Sequence, residues 1–295
     1  MLAIRRRTRW ALLRMLWIGL MLGALLSGCG GEGRTTKGGR PAGSPPSRAV
    51  SENGDTVGLY GTAKGTFMLT SSLSPKAIKT TFSFGPREKG LLPISGDWDG
   101  DGRNGVGVYD PVASIFYLIN DISQPAEEPI RVAFGSRRKG LLPLAGDWNG
   151  DGKDTIGLYS PSTGLFHLNN SLKGGKADIS FGYGGARIKW IPISGDWDGD
   201  GKDSVGLYEP IRSHFALIDR LAGGKADHEF QLGSRNKGFI PVAGDWDGDG
   251  RDSVGLYLGS AKRFYLSNEL GGREAGIQFA LQVEPGDVAP LAGRW

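Results

Sequence analysis

Apolar and polar positions alternate along this chain in short runs that return at a fixed interval. From about residue 51 onward, short apolar runs are separated by Gly, Pro, Asn and Asp, and a tryptophan recurs at Trp98, Trp148, Trp197 and Trp246, at intervals of 50, 49 and 49 residues. Each interval holds four apolar runs and shows no helical periodicity, which predicts four short antiparallel strands per unit. A repeat of this length built from four strands is typical of a β-propeller blade.

The two ends of the repeat region complement each other. The segment 55–60 matches the second strand of the later units, and nothing before it matches the first strand. The missing strand occurs at the other end, where 290–295 resembles 143–148. Pairing these segments completes a fifth blade and removes exposed strand edges. We therefore expect an all-β, five-bladed β-propeller of four-stranded antiparallel blades over residues 51–295, closed by the C-terminal strand, with an open array of repeats as the alternative.

Between the first and second strands, four units carry the motif Gly-Asp-Trp-Asp/Asn-Gly-Asp-Gly. Oxygen-bearing side chains occupy loop positions 1, 3 and 5, and a glycine at position 6 allows a sharp bend, which is how a loop surrounds a calcium ion. A polar turn without an ion is the alternative, since Asp and Gly also favour turns. The predicted side-chain ligands are Asp97, Asp99 and Asp101; Asp147, Asn149 and Asp151; Asp196, Asp198 and Asp200; Asp245, Asp247 and Asp249.

The motif and its repetition over residues 51–295 resemble the bacterial FG-GAP/VCBS repeat proteins. The resemblance implies a calcium-stabilised binding module that is secreted or displayed on a surface, with about four calcium ions. It differs at loop position 9, where the family usually has Asp and this chain has Gly105, Thr155, Ser204 and Ser253. Either the position-8 residue or a water then completes the shell, and position 7 contributes a carbonyl. The position-8 candidates are Asn104, Asp154, Asp203 and Asp252, and the position-7 candidates are Arg103, Lys153, Lys202 and Arg251. An EF-hand is excluded, because position 12 is apolar and no helix flanks the loop. The fifth loop should hold no ion, because Arg294 occupies its first position.

The N-terminal residues 1–28 have the features of a secretory signal, with a basic start followed by an apolar run. Leu26-Ser27-Gly28-Cys29 resembles the lipobox of bacterial lipoproteins, which implies that Cys29 becomes the lipidated N-terminus; a plain membrane anchor is the alternative. Cys29 is the only cysteine, so an intrachain disulfide is excluded. Residues 29–50 are rich in Gly, Pro, Ser and Arg and predict a disordered linker. We expect a lipid-anchored protein of the cell envelope, at the outer membrane or cell surface rather than the inner membrane.

The alkaline charge balance of the chain belongs to its N-terminal segments. The full sequence has 35 Lys and Arg against 31 Asp and Glu, and removing residues 1–49 leaves 26 against 30. The repeat region is therefore slightly acidic, and its charge gives no reason to expect nucleic-acid binding.

A second repeat, Arg-x-Lys, occurs in the loops that join one unit to the next. These loops should lie on the face opposite the Asp loops, where a basic arc would attract anions such as acidic glycans, lipid phosphates or an acidic envelope protein. A solvated turn composition copied with each blade is the alternative. The candidate residues are Arg87, Lys89, Arg137, Lys139, Arg187, Lys189, Arg235 and Lys237.

Catalysis is not expected from these residues. The predicted innermost strands place Ser or Ala before the loop glycine and supply no acid above the Asp loop, and the three histidines fall near outer strands. A non-catalytic module for an anionic envelope or extracellular ligand is the favoured function. The alternatives are a protein-interaction scaffold in a cell-envelope complex and a glycosidase-like enzyme.

Overall fold

The computed structural model describes residues 54–87, 90–136, 140–186, 189–283 and 286–295. Twenty strands form five separate four-stranded antiparallel sheets, and a single-turn 3-10 helix at Gly259–Ala261 is the only helix in the described part of the chain. The predicted all-β, five-bladed propeller is therefore confirmed. The signal peptide and linker predicted for residues 1–50 lie outside the described residues.

The four strands of each blade follow one another from the central channel outward. From innermost to outermost, blade 1 contains β20 (Val288–Gly293), β1 (Thr56–Gly61), β2 (Thr66–Thr70) and β3 (Lys79–Ser83). Blade 2 contains β4 (Leu92–Gly96), β5 (Gly105–Asp110), β6 (Ile115–Ile119) and β7 (Ile130–Ala133). Blade 3 contains β8 (Leu142–Gly146), β9 (Thr155–Ser160), β10 (Leu165–Leu168) and β11 (Ile179–Gly182). Blade 4 contains β12 (Ile191–Gly195), β13 (Ser204–Glu209), β14 (His214–Ile218) and β15 (His228–Gln231). Blade 5 contains β16 (Phe239–Gly244), β17 (Ser253–Leu258), β18 (Arg263–Leu266) and β19 (Ile277–Ala280).

The ring is closed in blade 1 by strands from opposite ends of the repeat region. Strand β20 pairs with β1 over six residue pairs, from Thr56 opposite Gly293 to Gly61 opposite Val288. The Thr56 hydroxyl also donates a hydrogen bond to the Gly293 carbonyl at 3.1 Å. Closure by the C-terminal strand is therefore confirmed, and the open array is excluded.

Each innermost strand has a proline at its second or third residue, and the five strands surround one channel. Pro143, Pro192, Pro241 and Pro290 line this cavity, and Pro93 holds the same register position in β4. Each innermost strand pairs with a neighbour on one side only, so its other edge faces the channel. A proline there costs no ladder hydrogen bond and protects the edge from pairing with another chain.

The hydrophobic core lies between neighbouring blades. In one of five equivalent clusters, Trp148 of blade 3 packs with Val205 and Leu207 of blade 4. The glycine in the middle of each second strand makes room for this packing. A Cβ at Gly107 would lie 2.5 Å from Leu118 Cδ2 on the adjacent strand, so a larger residue would displace that buried side chain. The repeated Trp and Val/Ile-Gly-Leu/Val-Tyr motifs are thus the two sides of each blade interface.

Among the residues described, we find no helix with the length and apolar character that crossing a membrane requires.

Candidate metal loops and the channel carboxylates

In three Asp loops the structure brings the carboxylates of positions 1, 3 and 5 together. One oxygen from each lies within 4.8 Å of the others in Asp97–Asp99–Asp101, Asp196–Asp198–Asp200 and Asp245–Asp247–Asp249. Two oxygens bound to one calcium ion at about 2.3–2.6 Å can be at most about 5 Å apart, so the spacing suits a shared cation. The blade-3 loop has the same positions with Asn149 in the middle. The donor set consists of hard oxygen ligands, which fits calcium or another hard divalent cation.

The first carboxylate of each loop organises the loop backbone. Asp97 Oδ1 accepts hydrogen bonds from the backbone N–H groups of Gly100 at 2.7 Å and Asp101 at 3.1 Å, and Oδ2 accepts one from Gly102 at 2.8 Å. The same three contacts recur around Asp147, Asp196 and Asp245. Gly100 and Gly102 have φ values of 80° and 83°, a region that glycine enters without strain. These hydrogen bonds fix the shape of the loop without an ion. They would form both in a calcium-binding loop and in a polar turn that binds no ion.

Positions 3 and 5 are the accessible part of each loop. Asp99 and Asp101 are exposed, and Asp101 Oδ1 accepts the backbone N–H of Arg103 at 2.9 Å. In the blade-5 loop, Asp247 also accepts a hydrogen bond from Asn268 at 3.0 Å. A cation could therefore reach the loop from solvent.

The position-8 side chains form hydrogen bonds across the blade interface. Asp154 Oδ2 accepts the backbone N–H of Asp97 in the preceding blade at 2.6 Å, and the Asp154 N–H donates to the Asp97 carbonyl at 2.7 Å. Asp203 and Asp252 make the same pair of bonds with Asp147 and Asp196. The sequence predicts that either the position-8 residue or a water completes each shell. In the structure, one side-chain oxygen of each position-8 residue, Asn104, Asp154, Asp203 and Asp252, bonds to the neighbouring blade instead. The physical reason is that position 8 immediately precedes the second strand, where the side chain is directed toward the neighbouring blade.

Sequence reasoning missed one member of this set, Asp55. Its Oδ2 accepts the Asp245 N–H at 3.1 Å, and its own N–H donates to the Asp245 carbonyl at 2.6 Å. At the last interface, Asn104 Oδ1 accepts the Arg294 N–H at 2.8 Å, and the Asn104 N–H donates to the Arg294 carbonyl at 2.6 Å. The signal was present in the sequence, because Asp55 precedes its second strand as Asp154 does. In blade 1, Arg294 therefore occupies the position that the first Asp of the loop holds in the other four blades.

The same five residues line the central channel. A cavity of about 210 Å³ is bounded by the innermost strands together with Asp55, Asn104, Asp154, Asp203 and Asp252, and none of the described residues lining it is basic. The innermost strands themselves carry no acidic residue, as expected. The carboxylates that line the channel belong to the residues immediately before the second strands.

Crowding and burial shift the protonation of these groups. Burial raises the pKa of Asp203 to about 7 and the pKa of Asp55 to about 6. The pKa values of Asp154 and Asp252 are also raised well above the usual Asp range, first by burial and then by repulsion from Asp203. The backbone N–H that each carboxylate accepts opposes these shifts without cancelling them.

The position-7 cations lie over the loop of the preceding blade. A Cβ at Gly100 would lie 3.1 Å from Lys153 Cγ, one at Gly150 would lie 2.9 Å from Lys202 Cγ, and one at Gly199 would lie 2.8 Å from Arg251 Cγ. The apolar stems of these side chains thus cover the loop tips from the next blade. The expectation that position-7 carbonyls, including that of Arg103, complete a metal shell stays a prediction.

The loops that join successive blades lie at the opposite end of the strands from the Asp loops, because the strands of each blade are antiparallel and sequential. Arg87, Lys189, Arg235 and Lys237 of the predicted basic arc are exposed there. Its other members, Lys89, Arg137, Lys139 and Arg187, lie outside the described residues.

The histidines are placed in outer strands, as expected. His167 lies on β10, where Nδ1 is 3.0 Å from Ser180 Oγ, His214 begins β14, and His228 begins β15 with Nε2 3.0 Å from Asp219 Oδ1. None of them lines the channel cavity, so they do not form a catalytic set with its carboxylates.

No protein-family profile matches this chain. No curated protein matches it by sequence. Among solved structures, it is similar to apo AztD from Citrobacter koseri, with a TM-score of 0.39 and 5% sequence identity over 81% of this chain and 98% of the AztD chain.

Proposed function

We propose that this protein is a calcium-stabilised, non-catalytic binding module of the FG-GAP/VCBS type, held at the bacterial cell envelope by a lipid on Cys29. The observation that carries the proposal is the separation of two repeated loop sets. The loops with clustered carboxylates lie at one end of the strands, and the Arg-x-Lys loops lie at the other.

The loop carboxylates support a structural role for calcium. Three carboxylates within 4.8 Å repel one another, and a divalent cation removes that repulsion. Asp97, Asp99 and Asp101 would hold the ion in blade 2, with the equivalent residues in blades 3, 4 and 5. A ligand that binds only the folded state stabilises it, which suits a domain of short, glycine-rich strands.

The tether follows from the lipobox that precedes Cys29 and from the Gly/Pro/Ser/Arg-rich linker after it. A flexible linker of about twenty residues spans roughly 25 Å, enough to lift the propeller above a bilayer. The mature protein should then begin with a lipid-modified Cys29, which N-terminal mass spectrometry would detect. An unmodified N-terminus elsewhere would contradict the lipoprotein assignment.

The basic face is the proposed contact for an anionic ligand, such as an acidic glycan or another polyanion of the envelope. Arg87, Lys189, Arg235 and Lys237 are exposed and recur from blade to blade. Single exposed charges bind weakly, because salt screens them beyond about 8 Å at physiological ionic strength. Several equivalent sites on one rigid ring can engage a repeating polymer together and gain affinity by avidity.

The channel carboxylates do not change the non-catalytic proposal. Each uses one oxygen to accept a backbone N–H of the neighbouring blade, which gives it a structural partner. A protein-interaction scaffold remains the second candidate, supported by the same exposed basic loops.

Binding to acidic polysaccharides of graded length tests the function. Affinity should rise with polymer length and fall steeply with salt. Changing Lys89, Lys139, Lys189 and Lys237 to Glu should abolish binding without lowering the melting temperature. The matched control changes Lys76, Lys173, Lys176 and Lys225 to Glu; these lysines lie in loops on the Asp-loop face, and binding should be retained. Equal binding by both variants would refute the basic face as the contact surface.

A further inference from the structure

The five blade interfaces share one reciprocal hydrogen-bonded pair. In each, a first-position residue donates its N–H to a position-8 side chain of the next blade and accepts that residue's N–H at its carbonyl. The pairs are Asp97 with Asp154, Asp147 with Asp203, Asp196 with Asp252, Asp245 with Asp55, and Arg294 with Asn104. Donor–acceptor distances range from 2.6 to 3.1 Å, so every interface forms the pair completely.

The first-position residue therefore takes part both in its own Asp loop and in the interface with the next blade. The carboxylate of Asp196 accepts three backbone N–H groups of its own loop, while its backbone N–H and carbonyl bond to Asp252 of the next blade. The next residue, Trp197, packs into the same interface with Val254 and Leu256. A shift of this backbone would disturb the loop and the blade interface together.

The position-8 residue is in turn the last residue of its own Asp loop. Asp252 closes the loop that begins at Asp245, and Asp245 is paired with Asp55 of blade 1. The loops are thus connected in series around the ring. The Arg294–Asn104 pair forms the remaining interface, between blade 1 and blade 2, and Arg294 is its first-position residue.

We propose that position 8 is a positioning residue for the metal loop of the preceding blade, and that these pairs couple the loops around the ring. Coupling is reciprocal, so an ion that fixes one loop also strengthens the interface with the next blade. This inference rests on the proposed calcium sites. It assigns to Asp55, Asp154, Asp203 and Asp252 a role in calcium affinity at a loop to which they do not belong.

Asp252 offers the sharpest test, because the preceding loop at 196–201 and its own loop at 245–250 both carry three aspartates. Asp252→Ala removes the acceptor and the charge. Asp252→Asn removes only the charge, and Asn104 shows that an amide oxygen accepts the same backbone N–H. The difference between the two variants therefore isolates the hydrogen bond from the change in charge.

Hydrogen exchange followed by mass spectrometry, applied to the full chain, reports each loop separately. The readout is the calcium concentration at which a peptide covering a given loop becomes half protected. In Asp252→Ala this concentration should rise about tenfold for 196–201, the factor expected for one hydrogen bond, and change little for 245–250. Asp252→Asn should stay close to the parent at 196–201. If Asp252→Ala fails to fold, the same comparison at Asp154 reports on the loop at 97–102.

Three other results would contradict the proposed role of Asp252. A shift confined to 245–250 would make Asp252 a ligand of its own loop and overturn the proposal. Equal shifts in the Ala and Asn variants would leave only an effect of charge, and no shift in either would leave no role for Asp252; both results overturn the proposal. If no loop of the parent responds to calcium, the proposed calcium role and the affinity coupling both fail. Hydrogen exchange in the presence of a chelator then tests the interface pair alone, since 196–201 should still exchange faster in Asp252→Ala than in Asp252→Asn.

Discussion

At the scale of single residues, aspartates seven positions apart in three of the four Asp loops have different environments. The position-1 carboxylate is surrounded by three N–H groups of its own loop, whereas the position-8 carboxylate accepts one N–H and faces other carboxylates in the channel. Asp203 shows the consequence, because burial raises its pKa to about 7. The charged form of a position-8 aspartate is therefore the unfavourable one in the folded protein.

This difference predicts an inverted pH dependence for the calcium-free protein. A carboxyl whose pKa is higher in the folded than in the unfolded state holds its proton more tightly when folded, so its contribution is lost as pH rises from about 4 to 7. Asp203→Asn should then raise the melting temperature relative to the parent by at least about 2 °C more at pH 8 than at pH 5. Calorimetry at the two pH values measures this difference.

Asp121 is the matched control. Hydrogen bonds from Ser123 and Gln124 lower its pKa, so its charge state is the same at pH 5 and pH 8 in both the folded and unfolded chains. Asp121→Asn should shift the melting temperature equally at both pH values. An Asp203→Asn effect that is also independent of pH would show that the charged form carries no penalty.

At the scale of elements, most of the fold could be predicted from sequence because each blade repeats a local pattern. Strand order, the Asp loops and closure by β20 follow from runs of apolar residues and from the match between 290–295 and 143–148. The partner of position 8 could not be predicted in this way. Asp154 and Asp97 are 57 residues apart, and their contact depends on the angle at which two blades meet. Local periodicity contains no information about that angle, so the sequence alone could not show that the Asp154 side chain bonds to the neighbouring blade.

The closing strand gives a direct prediction. Deleting residues 288–295 removes all six residue pairs between β20 and β1 and the Arg294–Asn104 pair. It also exposes the cluster in which Trp295 packs with Val106, Val108 and Leu291. The truncated chain should aggregate or unfold without a cooperative transition, as measured by light scattering and calorimetry.

A deletion of equal length in the linker, residues 31–38, is the control and should leave the transition unchanged. A chain without 288–295 that stays monomeric and melts close to the parent temperature would contradict the dependence of the fold on this strand.

At the scale of the whole molecule, the ring carries two different loop sets at opposite ends of the strands. One end carries the clustered carboxylates and the channel acids, and the other carries the exposed basic loops. The reciprocal pairs run around the acidic end and hold the blades in a fixed arrangement. Under the proposed function, a rigid ring would present the basic loops at constant spacing, which multivalent binding of a polymer requires.

The calcium count tests the central claim most directly. Native mass spectrometry of the purified protein, stripped with chelator and then supplied with calcium, should show four bound ions. Asp147→Ala should show three, and the control Asp99→Asn, which reproduces the Asn149 arrangement of the blade-3 loop, should keep four. Binding of no calcium by the parent, or an ion number unchanged by Asp147→Ala, would contradict the account.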